Sequence, residues 1–441
     1  MYQNRLPYSG TVILLFMTHL SMLAMVFIRG SLVAPMEFLK LILAVLVLDA
    51  GYLLVTLFYK QMTYTLDFML LCILGISLIF QSCFGGISLS FKHLISCVMC
   101  LASCEAGFLL TRNHEWIRKQ KIYIYILMFL LFLSIVFLTD NQKKWITIGS
   151  FSIQPSEFIK PCFILVCAAS IVELHKKLKI AFFYISKDSL ILCIAALVIF
   201  ALQWWCHDLG SLPTFGMIFL CALFCRFCYP KAKISKRLVV IGCAVFALVL
   251  VLAWSFAPEY VQKRLHADIW ADRYGDGYQQ CEALIGIAKG GWLGVGAGNG
   301  GLHKIFAHDS DIVFATVCEE WGLLNAVLAV MLILIMLMTA LMNPPKSYYH
   351  AMMTAGVTAC FLMQMSLNIF GSCNLIPFTG VTLPFLSTGG SSMMSCGFLV
   401  GMLKAGQSPL FQHEAMKRKK QKERQKAKKS AQKSRKKVNA S

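Results

Sequence analysis

The chain has 441 residues, of which 58% are hydrophobic and only 14% charged, and its formal net charge is +20. That balance excludes a soluble globular domain, and repeated apolar runs of about 18 residues or more mark membrane-spanning helices and exclude a single-anchor protein. More than half of the net charge lies in residues 413–441, with 13 Lys/Arg against two Glu, so the charge reports membrane topology and a tail and not a nucleic-acid groove.

The hydropathy pattern predicts an all-α polytopic membrane bundle of about twelve spans with both termini in the cytoplasm. The first apolar run has no small-residue cleavage site and more spans follow it, so no cleavable signal peptide is expected. The first four spans are expected at 10–28, 37–59, 66–85 and 92–111. The basic segment 112–121 then marks an inside loop. Spans at 122–138 and 157–174 flank an outer loop and lead to a second basic inside loop, 175–179. Spans at 190–205 and 209–227 make a hairpin with His207 and Asp208 at its tip. A ninth span, 238–256, leads into an extracytoplasmic loop at about 257–311. A long span, 312–342, is expected to tilt or to extend beyond the bilayer. Spans at 351–370 and 385–403 close the bundle, and residues 405–441 form a basic, disordered cytoplasmic tail. The weakest point of this topology is the first hairpin, which puts Arg5 inside but Arg29 outside. The 18 cysteines lie mostly within apolar runs, where a thiol is a small hydrophobe. Cys97 with Cys100, and Cys225 with Cys228, have CxxC spacing, but no second ligand pair or partner His follows either of them at metal-site spacing, so they are read as packing residues.

Four polar clusters converge on the outer face in this topology. The first holds Lys143, Lys144 and Trp145, then Gln154, Pro155, Ser156, Glu157 and Lys160. Pro155 suits a helix entrance, and Ser156 with Glu157 fits its first turn. Glu157 either caps that turn or contributes to a site in which Lys144 and Lys160 hold an anionic headgroup. The second cluster is His207-Asp208-Leu209-Gly210, where Asp208 is a helix cap or a site acid. The third is the long loop, with Arg264, Lys289, Lys304 and a run of glycines from Gly290 to Gly301. Glycine permits tight backbone shapes there. That loop turns into an apolar helix beside Asp309 and Asp311, and Glu319 and Glu320 follow. Those two glutamates either serve the site or anchor the loop. The fourth is 374–392, where Pro377 and Pro384 break the helix and Gly389-Gly390-Ser391-Ser392 permits irregular backbone of the kind tolerated around a protein cavity.

Four motifs carry a resemblance to the SEDS family, the group of RodA, FtsW and SpoVE. They are Lys144-Trp145-Ile146 with QPSEFIK at 154–160, His207-Asp208-Leu209-Gly210, GGWLGVGAGN at 290–299 with SDIVFATVCEEWG at 310–322, and NLIPFTGVTLPFLSTGGSS at 374–392. The resemblance runs over about 66–404, and it leaves residues 1–65 as two extra N-terminal helices. The chain departs from the family pattern with Lys144 for Arg, His207 for Pro, Thr388 for Tyr and Cys318 for Gly. Lys144 keeps a charge but loses a bidentate fork.

The resemblance implies peptidoglycan glycosyltransferase activity. The substrate would be lipid II, a disaccharide-pentapeptide on undecaprenyl diphosphate, polymerised into β-1,4 glycan at the outer face of the cytoplasmic membrane. The process served would be cell division, elongation or sporulation, and the partner a class B penicillin-binding protein, a transpeptidase. Asp311 is the expected general base, by its place at the water–membrane junction and by the family match. Lys144, Lys160 and Lys304 are expected to meet the diphosphate; Glu157, Asp208, Glu319, Glu320, Ser391 and Ser392 complete the expected substrate site. No motif requires a cofactor, and a divalent cation, Mg or Mn, is an alternative counter-charge. Two rival readings stay open: a flippase for a lipid-linked precursor, and a non-catalytic scaffold for the transpeptidase.

Overall fold

The computed structural model describes residues 8–407 except 32–33, 59–64, 139–144, 149–150, 173–176, 181–182, 207, 209, 229–268, 276 and 344. The expected ninth span, the first part of the long loop with Arg264, Lys144 and the basic tail from 408 lie outside the described residues.

The fold is an all-α membrane bundle. In chain order its helices are α1 (Tyr8–Arg29), α2 (Pro35–Phe58), α3 (Thr65–Cys83), α4 (Phe91–Thr111), α5 (His114–Leu138), α6 (Pro155–Val172), α7 (Lys187–Trp205) and α8 (Ser211–Phe227). They continue as α9 (Tyr278–Gly290), α10 (Val313–Met342), α11 (Tyr348–Ser372) and α12 (Gly390–Gly406). Two short antiparallel hairpins, β1 (Ile146–Ile148) with β2 (Phe151–Ile153) and β3 (Lys177–Ile180) with β4 (Phe183–Ser186), join neighbouring helices. Among the described residues eight helices are long and apolar enough to cross a membrane, and α8 is a shorter apolar helix.

Three expected boundaries change. The span placed at 385–403 begins at Gly390, because residues 384–389 form an irregular segment held by side-chain hydrogen bonds. The span at 312–342 is not one straight helix: Gly322, at φ 84° and ψ 161°, breaks it. The long loop contains α9 and a single 3-10 turn, Leu302–Lys304.

Close backbone packing joins α12 to α4. Gly397 and Gly401, four residues apart, face α4 so tightly that a Cβ would lie 2.0 Å from Cys100 O and 2.2 Å from Cys104 O. Small residues at this spacing let membrane helices approach where lipid supplies no hydrophobic drive. The buried polar groups of the spans are paired at two levels. His19 Nδ1 and Asp49 Oδ2 are 2.7 Å apart, which joins α1 to α2, and His19 Nε2 lies 3.3 Å from Cys72 O of α3. At one end of the bundle Lys404 of α12 bridges Asp67 of α3 (2.8 Å) and Glu105 of α4, and the Tyr52 hydroxyl oxygen of α2 lies 2.7 and 2.6 Å from the same two carboxylates, within hydrogen-bond distance of both. An unpaired charge at this depth is costly, so four helices are tied by one cluster.

Candidate active site

The opposite end of the bundle is built around the break in α10. A helix broken at membrane depth leaves backbone donors and acceptors that must find partners. Here the glycine loop supplies them. Leu323 N donates to Gly291 O (2.9 Å) and Leu324 N to Trp292 O (3.3 Å); in return Val295 N donates to Glu319 O (2.9 Å) and Gly296 N to Glu320 O (3.0 Å). The loop backbone fits into the gap, and a Cβ on Gly322 would lie 2.4 Å from Trp292 O. Glycine is required at Gly322 twice over, for its left-handed φ and for this contact.

Glu319 and Glu320 hold the other side of the loop. The Glu319 carboxylate accepts from Lys289 Nζ (2.8 Å), Gly301 N (2.9 Å) and Leu302 N (2.8 Å). The Glu320 carboxylate accepts from Gly85 N (3.0 Å) and Gly298 N (2.9 Å). Both residues are almost fully buried. Their oxygens are thus engaged by main-chain amides, the arrangement expected of loop anchors.

Asp311 follows a tight turn at Ala307, whose φ is 57° and whose carbonyl accepts from Ser310, Asp311 and Ile312 amides at 3.2, 3.0 and 3.4 Å. The carbonyls of residues 309, 310 and 311 are each clamped from elsewhere. Asp309 O accepts from Gln81 Nε2 (2.9 Å) and Thr388 N (2.8 Å), Ser310 O from Ser387 Oγ (2.7 Å), and Asp311 O from Asn368 Nδ2 (2.8 Å). The Asp309 carboxylate also accepts the Thr388 hydroxyl. Asp311 itself is half-buried beside Gly380, where a Cβ would lie 3.0 Å from its Oδ2. Its backbone therefore sits on a rigid mount, the condition for holding a reacting group in one geometry.

The 374–389 loop connects Asp311 to the other motifs. Beside Gly380, Thr379 O and Val381 pack on Gly210, leaving only 2.9 and 2.8 Å to a Cβ there. Asp208 of that turn accepts from Ser211 Oγ (2.7 Å) and Gln154 Nε2 (3.4 Å), and Gln154 N donates to Ser391 Oγ (3.2 Å). Thr382 and Ser392 hydroxyls are 2.9 Å apart. Three helix N-termini, those of α6, α8 and α12, so meet at one place. N-terminal N–H groups and their dipoles favour anions. Ser156 Oγ, Glu157 Oε2, Thr214 Oγ1, Thr379 Oγ1 and Asn368 Oδ1 are buried there without a hydrogen-bond partner. Orphaned polar atoms gathered in one region leave donors and acceptors for a ligand or water.

The basic residues divide differently from the expectation of a cationic cradle. Lys160, at 1% exposure, pairs with Glu157 at 2.6 Å within α6, so its charge is matched by the protein. Ser395 of α12 fixes that turn by donating to Glu157 O (2.7 Å). Lys304 is exposed at the end of its 3-10 turn. Among the described residues no group of three or more His, Cys, Asp or Glu side chains is placed to hold a metal ion. Sequence reasoning missed Gln81, Asn368, Thr382 and Ser387. The available signal was an amide inside an apolar span, as at Gln81 and Asn368, since such groups demand a partner.

Residues 55–407 match the family model of FtsW, RodA and SpoVE, described as cell cycle protein. The chain is 30% identical over 325 residues to a probable peptidoglycan glycosyltransferase FtsW of Hahella chejuensis, covering 69% of this chain and 78% of that one. It is 31% identical over 280 residues to a protein of the same name from Alcanivorax borkumensis, covering 60% and 69%. Its fold is similar to a chain of a peptidoglycan synthase complex that coordinates polymerization and crosslinking, with a TM-score of 0.59 at 20% identity, covering 79% of this chain and 98% of that one. It is also similar to the rod shape determining protein RodA of Thermus thermophilus, with a TM-score of 0.53 at 18% identity, covering 78% and 96%. With a match over residues 55–407, most of its length, the chain belongs to the FtsW/RodA/SpoVE family of cell cycle proteins.

Proposed function

We propose that this protein is a peptidoglycan glycosyltransferase that polymerises lipid II into β-1,4 glycan, in division, elongation or sporulation. The observation that carries this reading is the rigid mount under Asp311: three successive carbonyls, from 309 to 311, are clamped while the carboxylate faces the loop that joins the other family motifs. The family relationship and the names of its relatives support the substrate class.

In this reading Asp311 takes the proton from the acceptor sugar's 4-hydroxyl. The hydroxyl oxygen forms a bond to the donor's anomeric carbon as the carbon–oxygen bond to the diphosphate breaks. The electron pair leaves with undecaprenyl diphosphate, and backside attack turns an α-linked donor into a β product. The helix N-termini of α6 and α8 and the basic residues Lys144 and Lys304 offset the charge that builds on the diphosphate. Lys160 with Glu157, and Asp208 with Gln154, shape the site where the three helix N-termini meet, together with Ser391 and Ser392. The end of the bundle carrying the glycine loop faces the outside, and both termini face the cytoplasm. This orientation rests on the basic loop at 112–121. A class B penicillin-binding protein is the expected partner, to cross-link the strands.

The test is polymerisation of lipid II by the purified protein in detergent, alone and with a class B partner. Wild-type protein makes glycan, and Asp311→Asn, while still folded, makes none. Full activity of that variant would falsify the base assignment; no glycan from wild-type protein in detergent, together with lipid II transport by the protein reconstituted in vesicles, would make it a flippase instead.

A further inference from the structure

The family match begins at residue 55, so α1 and nearly all of α2 precede it. These two helices are nevertheless pinned to the core at three levels. Tyr52 enters the Lys404 cluster at one end, and His19 with Asp49 meets α3 midway, in a notch where Gly75 leaves no room for a Cβ. At the far end, about 15 Å further along α1 from His19 by helical rise, the hairpin tip reaches the glycine loop.

The contacts at the tip are specific. Arg29 donates from Nη1 to Leu293 O (2.9 Å) and from Nη2 to Gly294 O (3.1 Å). Ser31 N donates to Ala297 O (2.8 Å). The loop backbone comes close enough that a Cβ on Gly296 would lie 2.2 Å from Arg29 O, and one on Gly298 would lie 2.4 Å from Ser31 Oγ. Residues 291–296 are the same residues that repair the break in α10, and residues 298–302 are those bound by Glu319 and Glu320. The carbonyls of Leu293 and Gly294 lie between the two acceptors, Gly291 and Trp292, and the two donors, Val295 and Gly296, that repair the break, and the forked guanidinium spans both of them.

We propose that the α1–α2 hairpin is a positioning device for the glycine loop, with Arg29 as its positioning residue. The loop is held from within by the α10 break and its two glutamates, and from without by Arg29 and Ser31. With the outer clamp in place the loop has one conformation, and the segment from Ile305 to Asp311, which continues directly from it, inherits that order. Arg29 touches no reacting atom in this account. It also explains the basic residue that the topology puts on the outer side: its charge is used on carbonyl oxygens there.

The experiment compares wild type, Arg29→Ala and Arg29→Lys by hydrogen–deuterium exchange in detergent and by lipid II polymerisation. Loss of two charge-assisted bonds is expected to raise exchange across 290–301 in Arg29→Ala by about tenfold, with α3 and α12 unchanged. Arg29→Lys, which keeps a charge but loses the fork, is expected to fall between the two. The activity arm rests on the function proposed above: kcat should fall about tenfold in Arg29→Ala with KM within about twofold, since ordering and not substrate contact is lost. Unchanged exchange at 290–301 in Arg29→Ala overturns the proposal, and so does a rise spread evenly over α1, α3 and α12. If wild-type protein does not polymerise lipid II, the proposed function fails, while the exchange comparison still decides the role of Arg29.

Discussion

The two ends of the bundle face the same problem, a buried carboxylate among apolar helices, and meet it in different ways. At the end opposite the glycine loop, Asp67 and Glu105 share Lys404 and the Tyr52 hydroxyl. At the loop end, Glu319 and Glu320 accept mainly main-chain N–H groups, with Lys289 as the only salt-bridge partner at these two residues among the described residues. A counter-ion ties side chains of different helices but leaves backbone free, whereas N–H groups accepted by a carboxylate order the backbone that carries them. The first arrangement therefore joins helices, and the second shapes a loop. Asp311 is tied in differently from all four acids: its main-chain carbonyl accepts from Asn368 Nδ2, and its carboxylate lies beside Gly380.

That contrast is open to direct attack. The largest effect is expected where chemistry is removed and structure kept. Asp311→Asn should lower polymerisation by at least about 10²–10⁴-fold, with a thermal midpoint in detergent close to wild type. A large drop in that midpoint would mean that the carboxylate is structural after all. Next is Lys404→Met, which leaves two buried carboxylates facing one another. It should cost about 3–5 kcal/mol, read as a lower unfolding midpoint, and adding Asp67→Asn with Glu105→Gln should recover most of the loss. Equal stability of the single variant would deny the cluster its role in tying helices.

Glu319→Gln is expected to be milder, about 1–3 kcal/mol, because an amide keeps one acceptor for the three donors it faces. Its effect should concentrate in exchange at 301–302 and spare α3 and α4, which separates loop anchoring from helix tying. The smallest expected change is Ser395→Ala, about 0.5–1 kcal/mol, since it removes one hydroxyl bond to Glu157 O. A loss several times larger would show that the first turn of α6 depends on α12 more than this single bond implies.

Several features were legible from the chain alone. Eleven of the twelve expected spans correspond to described helices, eight of them long and apolar enough to cross a membrane, since a span must satisfy its own backbone and so announces itself locally. The motifs at 144–146 with 154–160, at 207–210, at 290–299 with 310–322, and at 374–392 were recognisable because each piece is contiguous in the chain. The irregular backbone at 384–389 was signalled by Pro384 and the glycine pair that follows, although its polar partners were not. The break in α10 was hidden. Gly322 lies inside the expected span 312–342, and nothing within that span announces the loop that arrives from thirty residues upstream to fill the gap. The roles of Glu319 and Glu320 were likewise left between anchor and site, because an acid looks the same in either role until its donors are seen.

Membrane insertion, the helical class, the family and the residue types available for chemistry thus follow from local pattern, because hydropathy and short motifs act over one helix or one turn. Which acid is paired with a lysine 337 positions away, as Asp67 is with Lys404, which is bound by amides, and which is held through its main-chain carbonyl are matters of long-range packing. The same holds for Arg29, a charge that local rules place awkwardly and that the folded chain puts to use 264 residues downstream. Burial makes every such partner energetically necessary, and only the folded arrangement of helices selects which partner each group meets.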